Sequence, residues 1–446
     1  MKLLIITYDY PPVVTPRALR WETISKYWAQ NGHEIDIICG WRPRAIRLEI
    51  LNNIRISRVG GNISELIRDR ILSSKTPIQS SKQDRNGELS YLSKNNAILK
   101  RLHDLTWKKI YWPDHACLWF FSALNAAKQM LALYRYDLLL TVSLPFTSHL
   151  IGLNLKNIFP EVPWAIDVGD PFFFQTESPS NNHWLYAKLN YNLEKRVIRK
   201  SGVIFVTTEG TRQEYIRQFP GSLGKVVVIP PLISYPKTPP ISKSALFSSK
   251  DKIRFVFIGT LYRDIRNPCF LLQLFTAFGQ ISGLDRVELH FFGNVSDCRH
   301  YFKPYTELIG ESIFLHGLIG HGEAFQAIRE ADILVNIGNL TSFQLPSKVV
   351  EYVSTGKPIL NISKVADDSS AQFLRNYRPS ICLHESSEIS SKQIDDLAAF
   401  VESSSTLVGP ELEKWKRKYE VESISTSYLY HIGKFIESNN GVSPKS

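Results

Sequence analysis

Short apolar runs that look like buried strands recur along this chain, with segments of helical periodicity between them. They form two series. The first series comprises residues 3–7, 34–39, 54–59, 137–142, 164–168, 203–207 and 226–229. The second comprises residues 254–258, 287–292, 313–316, 332–336, 358–362 and 380–383. Such alternation is typical of βαβ units around a parallel sheet. We therefore predict an α/β fold with two Rossmann-like, doubly wound domains.

A proline-rich break separates the two series. Residues 231–251 contain Pro236, Pro239 and Pro240 with several Ser and Lys, a composition that favours a linker. A chain of 446 residues is also too long for one ordinary hydrophobic core.

These observations predict the limits of the domains. The N-terminal domain spans residues 1–230, the linker 231–251 and the C-terminal domain 252–414. A C-terminal helix at about residues 415–438 returns to the N-terminal domain. We expect the ligand in a cleft between the two domains.

The net charge of +11 indicates an anionic partner, which can be nucleic acid, a lipid surface or a phosphorylated substrate. Five cysteines stand singly, without metal-ligand spacing, so we expect a reduced compartment and no structural zinc. The first apolar run is too short for a secretion signal, and none is long enough to span a bilayer.

Two segments of the first half carry many charged or polar residues. Residues 62–96 are polar and predict a surface excursion. Residues 99–121 interleave cations such as Lys100 and Lys108 with aromatics such as Trp107 and Trp119. This second segment could dock on an anionic membrane. Core aromatics with a solvated basic face are the alternative, which we favour.

Residues 345–358 predict a short helix. Pro346 and Ser347 form a start signal, and Gly356 followed by Pro358 forms a stop.

Lys348 and Glu351 lie three residues apart in this helix and so share a face near its positively polarised N-terminus. The helix follows the predicted strand 332–336, near whose carboxyl end open α/β sheets bind ligands. A nucleotide diphosphate with its ribose would suit this place. An exposed helix with an incidental Lys-Glu pair is the alternative.

Gly259 closes the first strand of the second series, and Arg263 and Arg266 follow it. A glycine there lets backbone amides approach a ligand, and Arg266, just before a helix, could grip a diphosphate with its bidentate guanidinium. Ordinary surface charge is the alternative for both arginines.

Two residues of the first half could face the same cleft. His149 follows the strand 137–142 and could serve as a base or a hydrogen-bond donor, unless it is a structural histidine.

Asp167 and Asp170 are three residues apart, so their side chains point to opposite sides of a strand, which argues against a metal pair. Asp170 is the better placed to face the cleft; capping of the next turn is its alternative.

Five segments, in this order and spacing, resemble the GT-B glycosyltransferases, and among them the family 4 enzymes that build bacterial surface polysaccharides. They are residues 8–12, 32–34, 163–171, 259–268 and 346–358. The resemblance implies a nucleotide-sugar donor on the C-terminal domain and an acceptor on the N-terminal domain. It also implies no cofactor and no essential metal.

The resemblance gives several residues a role. Glu351 is similar to the carboxylate that binds the donor ribose, and Arg266 and Lys348 to the cations that neutralise the leaving diphosphate. Asp170 matches an aspartate that faces the sugar, and His149 is a candidate catalytic residue beside it. The other residues expected at the donor are Gly259, Arg263 and Ser347.

The chain departs from the family pattern at three places, one of which is Thr260, where relatives usually have a basic residue after the Gly259 position. Phe343 stands where many relatives have the first of two glutamates. The loop after the first strand, from Pro12 to Arg17, lacks the Gly-Gly turn that touches the diphosphate, and Arg17 is the expected substitute.

The sequence thus predicts a retaining glycosyltransferase with a lipid-linked or saccharide acceptor and no nucleic-acid partner. It would be cytoplasmic, with peripheral attachment to an anionic surface on the inner face of the membrane. A sugar-nucleotide epimerase on the same fold is one alternative. A non-catalytic, membrane-associated partner subunit is another, because of Phe343 and the altered first loop.

Overall fold

A computed structural model describes residues 1–61, 110–233, 246–247 and 251–439. These residues form two compact units. Unit 1 contains the described residues of Met1–Val206, Tyr215–Ile229 and Ser425–Ser446, and unit 2 those of Thr207–Glu214 and Pro230–Ile424. The polar segment 62–96 and most of the predicted linker lie outside the described residues.

Unit 1 is built on an 8-stranded sheet with the order β3-β4-β2-β1-β5-β6-β7-β8. The strands are β1 (Lys2–Thr7), β2 (Glu34–Gly40), β3 (Leu48–Leu51), β4 (Ile54–Val59), β5 (Leu138–Val142), β6 (Trp164–Asp167), β7 (Val203–Val206) and β8 (Val226–Val228). All pairs are parallel except β3 with β4. The central strands are buried throughout, as expected for strands covered on both faces.

Unit 2 is built on a 6-stranded sheet with the order β11-β10-β9-β12-β13-β14. The strands are β9 (Ile253–Ile258), β10 (Val287–Phe292), β11 (Ile313–Gly317), β12 (Ile333–Ile337), β13 (Ile359–Ser363) and β14 (Ser380–His384). All pairs are parallel. The chain builds β9 to β11 outward on one side and then crosses to build β12 to β14 on the other. The topological switch point therefore lies between β9 and β12.

The described helices, in chain order, are α1 (Pro16–Gln30), α2 (Trp119–Leu133), α3 (Thr147–Ile158), α4 (His183–Lys200), α5 (Glu209–Gln218), α6 (Cys269–Ser282), α7 (His321–Glu330), α8 (Ser347–Ser354), α9 (Ser369–Leu374), α10 (Ser391–Ser403), α11 (Pro410–Tyr419) and α12 (Val421–Asn439). Shorter 3-10 segments cover Pro220–Ser222, Leu284–Arg286 and Ser296–Leu308. None of these helices is both long and apolar enough to cross a membrane.

Alternate residues of β9 enter two different cores of unit 2. Phe255 and Phe257 pack in one core with residues of α6, whereas Val256 and Ile258 pack in the other with residues of α8. Because successive side chains of a strand point to opposite faces, both faces of this sheet are covered by helices. The sheet is the doubly wound arrangement predicted from the sequence.

The C-terminal segment folds as two helices, which corrects the prediction of one helix at 415–438. Glu420 has an extended backbone between α11 and α12. From Ser425 onward α12 belongs to unit 1, where Tyr428 packs on Trp21 and Trp28 of α1. The predicted return of the C-terminal helix to the N-terminal part of the chain is therefore present.

The described part of the segment 99–121 contributes some of its aromatic residues to the core. Residues 99–109 lie outside the described residues. Tyr111 is 9% exposed and Trp119 is fully buried, whereas Phe121 remains 72% exposed. Core packing therefore accounts for Tyr111 and Trp119.

Candidate functional site

The tips of β9 and β10 approach each other through glycines. Gly259, directly after β9, has φ +153°, and Gly293, directly after β10, has φ +132°. A Cβ atom on Gly293 would lie 1.9 Å from the carbonyl oxygen of Gly259. Only glycine at position 293 allows this contact, which leaves the backbone bare at the carboxyl edge of the sheet.

Arg266 reaches from the end of β9 to the end of β12. Its backbone exchanges two hydrogen bonds with Tyr262, at 2.9 and 3.1 Å, which closes the loop after Gly259. Its Nη2 donates to Oδ1 of Asn339 at 2.7 Å, two residues beyond β12. Its Nε is buried and has no hydrogen-bond partner among the described residues. The guanidinium therefore lies at the switch point, and among the described residues its side-chain hydrogen-bond partner is the neutral amide of Asn339.

Burial lowers the pKa of Arg266, while the nearby Tyr352 and Asp368 act in the opposite direction. Lowering means that the surroundings leave the positive charge incompletely compensated. An anion beside Arg266 would stabilise the positive charge of its guanidinium.

The helix α8, which carries Lys348 and Glu351, packs on β9, the strand that precedes the loop of Arg266. It begins at Ser347 after Pro346, and no side chain caps its first turn. Nζ of Lys348 lies 2.5 Å from Oε2 of Glu351, so the predicted pair shares one face. The hydroxyl of Tyr352, on the same helix, accepts a hydrogen bond of 3.1 Å from the backbone of Ile258, which ties α8 to β9.

Buried polar side chains of β12, β13 and the start of α9 form a chain of hydrogen bonds near the carboxyl edge of the sheet. The sequence did not predict these hydrogen bonds. Asn336 of β12 donates to Asn361 of β13 at 2.6 Å, and Asn361 donates to Asp368 at 2.9 Å. Asp368 also caps α9 through the backbone of Ser370. In the sequence, the signal for these hydrogen bonds was one asparagine within each of two otherwise apolar strands. The two asparagines are paired in the sheet.

The remaining donor-site candidates are more exposed. Arg263 and Ser347 are exposed, and the backbone of Arg263 donates to Asp297 at 2.8 Å. At Phe343 the backbone carbonyl accepts hydrogen bonds from Thr208 and Thr211, at 2.6 and 2.8 Å. The loop before α8 is thus held through its backbone where relatives are expected to carry a carboxylate.

In unit 1, Arg17 is already paired. Its Nη2 lies 2.8 Å from Oδ2 of Asp167, which also accepts a hydrogen bond of 2.8 Å from Trp21. Asp167 is buried, so this pair fixes the start of α1 against the end of β6. The Nε of Arg17 is buried, and no residue in the described part of the chain forms a hydrogen bond with it. Pro12 is exposed on the same loop.

His149 is enclosed, which favours the structural reading over acid-base work. The residue is fully buried, and Nδ1 lies 2.8 Å from the hydroxyl of Thr141, which also accepts from Trp164 at 3.0 Å. Burial, aided by the charge of Arg17, lowers the pKa of His149 to about 3. The imidazole is neutral at physiological pH, and Nε2 is buried with no hydrogen-bond partner within the part of the chain that the structure describes.

Asp170 is half-buried at the start of a loop that Glu194 of α4 supports. The backbone amides of Phe172 and Phe173 donate to Glu194 at 3.3 and 2.8 Å, and the hydroxyl of Tyr215 donates at 2.6 Å. Burial raises the pKa of Glu194 to about 7. The sequence reasoning missed this carboxyl group, because a glutamate within a charged helix looks like surface charge.

Among the described residues, no group of three or more His, Cys, Asp or Glu side chains has an arrangement suited to a metal ion.

No family model and no curated protein sequence matches the chain. Solved structures do match over nearly its whole length. Sucrose-phosphate synthase from Thermosynechococcus elongatus is 13% identical and has a TM-score of 0.61, covering 99% of this chain and 100% of its own. The N-terminal domain of a trehalose-6-phosphate phosphatase from Candida albicans is 13% identical with a TM-score of 0.59, covering 97% of both chains. An α,α-trehalose-phosphate synthase (UDP-forming) from Burkholderia vietnamiensis is 13% identical with a TM-score of 0.57, covering 99% of both.

The chain therefore has the GT-B fold, as predicted. Identity this low defines the fold, whereas the reaction must be argued from the site.

Proposed function

We propose that the protein is a glycosyltransferase that moves a sugar from a nucleotide-sugar donor to a lipid-linked or polysaccharide acceptor. In this proposal it retains the anomeric configuration and acts in cell-surface polysaccharide synthesis. It works in the cytoplasm, attached peripherally to the membrane, and needs neither a cofactor nor an essential metal.

The incompletely compensated charge of Arg266 at the switch point carries the proposal. A desolvated guanidinium held by the neutral Asn339 favours an anionic ligand, and its planar fork suits the oxygens of a diphosphate. In open α/β sheets, ligands bind outside the carboxyl ends of the strands at such a point.

Glu351 and Lys348 of α8 are suited to contact the ribose and a second phosphate of the donor. Glu351 is buried and presents a carboxylate that can accept hydrogen bonds from two ribose hydroxyls. Lys348, 2.5 Å away, adds a cation near the helix N-terminus, where negative charge is stabilised. Together with Arg266 it would neutralise the charge that develops on the leaving diphosphate.

The fold is compatible with this donor, since one structural neighbour is a synthase whose name states that it forms UDP. The acceptor, the retention of configuration and the polysaccharide pathway rest on the family resemblance. So does the assignment of Asp170 to the transferred sugar.

Donor binding tests the proposal directly. A thermal-shift screen against UDP-, GDP-, ADP- and dTDP-sugars should identify a donor that raises the melting temperature by mass action. Arg266→Ala should weaken that donor about 10- to 100-fold, since it removes charge-assisted hydrogen bonds. Arg286→Ala is the matched control, because Arg286 is an exposed arginine at the opposite, amino edge of the sheet. Equal affinities in the two variants would refute the role of Arg266.

Turnover separates transfer from the two alternatives. With an acceptor panel present, we expect release of the nucleotide diphosphate and a glycosylated acceptor. An isomerised donor without release would indicate an epimerase. Binding without turnover across the panel would indicate a non-catalytic subunit.

A further inference from the structure

The helix α4 has an exposed face with an unusual composition. Its exposed residues fall within an arc of about 160° around the helix axis. They are Trp184, Leu185, Lys188, Leu189, Asn192, Lys195, Arg196, Arg199 and Lys200. Large apolar side chains and cations make up all of this face except one asparagine.

The apolar side chains of this face lie toward the N-terminal end of α4. Trp184 is 92% exposed, and Leu185 and Leu189 are 53% and 51% exposed. Ile110, 63% exposed, lies close by, because its carbonyl accepts a hydrogen bond of 2.6 Å from Tyr186. Such a cluster in contact with water is unfavourable unless something covers it.

The face contains no carboxylate. The only acidic residue of α4 is Glu194, which is buried on the opposite side and bonded to the loop that follows Asp170. Five cations therefore share the face with no acidic side chain of the same helix to compensate them. A simple solvated surface would mix both signs of charge and would not expose a tryptophan almost completely.

From this arrangement we infer that the exposed face of α4 docks on an anionic lipid surface. Trp184, Leu185 and Leu189 enter the interface between headgroups and acyl chains, and the cations bind lipid phosphates. Leu185 and Leu189 favour lipid over nucleic acid, since aliphatic side chains offer no ring for stacking on bases and Trp184 is the one aromatic residue of the exposed face. The inference deepens the membrane attachment in the proposed function and rests on that proposal only for its biological purpose.

Vesicle co-sedimentation of the full chain tests the inference. The wild type should partition onto vesicles of phosphatidylcholine with 30% phosphatidylglycerol, and roughly tenfold less onto phosphatidylcholine alone. Partitioning should fall as salt rises, because the cations are exposed and screened.

Two face variants separate the contributions of charge and apolar contact. Lys188→Glu with Lys195→Glu should reduce partitioning onto anionic vesicles at least tenfold. Its control is Lys303→Glu with Lys392→Glu, which changes the net charge equally at two exposed lysines of unit 2. Trp184→Ala should reduce partitioning roughly tenfold, whereas Ile281→Ala, at a 66% exposed isoleucine of α6, should leave it unchanged.

Several outcomes would overturn the inference. The first is equal partitioning of the face and control variants, and the second is no preference for anionic vesicles. A third is a wild type that ignores vesicles but forms a dimer that Trp184→Ala dissociates, which would assign the face to a second copy. Tight binding to a single-stranded RNA oligomer in place of vesicles would assign it to nucleic acid.

The same variants keep this inference distinct from the proposed function. The thermal shift with the identified nucleotide sugar should be unchanged in every face variant, because α4 belongs to unit 1 and the donor residues to unit 2. If no nucleotide sugar binds the wild type but vesicle binding still depends on Lys188 and Lys195, the docking surface stands and the glycosyltransferase proposal falls.

Discussion

At the scale of single residues, Glu194 is a buried carboxyl group whose protonation matters for stability. Three donors, the amides of Phe172 and Phe173 and the hydroxyl of Tyr215, converge on it, yet burial outweighs them and raises the pKa to about 7. The folded state therefore binds its proton more tightly than the unfolded chain does.

We predict that Glu194 destabilises the fold progressively as pH rises from about 4.5 to about 7, because ionisation is favoured in the unfolded chain. In Glu194→Gln this pH-dependent loss is absent. Relative to wild type, the free energy of unfolding of the variant should rise by roughly 3 kcal/mol between pH 4.5 and pH 8. Urea denaturation across this range measures it. Loss of an acceptor for the amides adds only a constant offset, so parallel pH profiles would contradict the prediction.

The role of Glu351 can be tested by a substitution that replaces one carboxylate oxygen with an amide nitrogen. Glu351→Gln keeps the shape of the side chain but removes the charge that faces Lys348 and, in our proposal, the ribose. We expect donor affinity to fall about tenfold in the variant, since hydrogen bonds to a charged acceptor are worth about 1.5–3 kcal/mol. Isothermal titration with the donor from the screen measures it. Glu411→Gln, at an exposed glutamate of α11, is the control. Unchanged affinity in Glu351→Gln would remove this residue from the donor site.

At the scale of secondary-structure elements, the meeting of β9 and β10 at their tips depends on Gly293. Gly293→Ala would place a methyl group 1.9 Å from the carbonyl oxygen of Gly259, so the two strand ends must separate. Gly317→Ala is a matched control, because Gly317 also has a positive φ, +74°, but nothing lies within 4 Å of its added Cβ. We expect Gly293→Ala to cost at least about 2 kcal/mol more than Gly317→Ala in unfolding free energy. Equal costs would show that the positive φ, and not the contact with Gly259, determines the loss of unfolding free energy.

Tyr428 is the most enclosed aromatic side chain that attaches α12 to unit 1. Tyr428 is fully buried against Trp21, Trp28 and Phe205, and its hydroxyl accepts from Arg20 at 3.0 Å. We predict that Tyr428→Ala costs about 3–5 kcal/mol of unfolding free energy and Tyr428→Phe only about 1 kcal/mol. Tyr430→Ala, two residues along the same helix at a 56% exposed position, should cost less than about 0.5 kcal/mol. A cost for Tyr428→Ala near that of Tyr430→Ala would mean that α12 is not held by this packing.

At the scale of the whole molecule, the features that could be predicted from the sequence are those determined by residues close to one another in the chain. The buried parallel strands were recognisable because each is a continuous apolar run. The contact of Lys348 with Glu351 was recognisable because three residues span about one helical turn. The strand β3 was missed, since Leu48–Leu51 has only four residues and is mostly exposed, so its three apolar side chains do not form a buried apolar run.

Contacts between distant parts of the chain were beyond the sequence. Arg266 and Asn339 are separated by 73 positions, and Arg17 and Asp167 by 150. No local pattern links such pairs, so Arg17 looked available for a ligand although Asp167 holds its guanidinium. Likewise nothing local distinguishes the enclosed His149 from a histidine at a surface.

If the donor binds at the switch point, protection from hydrogen exchange should be confined to one edge of one sheet. Binding of a nucleotide sugar should slow exchange most in peptides that cover residues 259–266 and 338–351, because these contain Arg266, Asn339 and the α8 pair. The opposite edge of the same sheet provides the internal control. Peptides around Lys357 and Ser404, which line a cavity at the amino ends of β12 and β13, should exchange unchanged. In Arg266→Ala the protection should disappear at equal donor concentration, whereas Arg286→Ala should retain it. Protection that spreads evenly over unit 2, or that appears only in unit 1, would place the donor elsewhere.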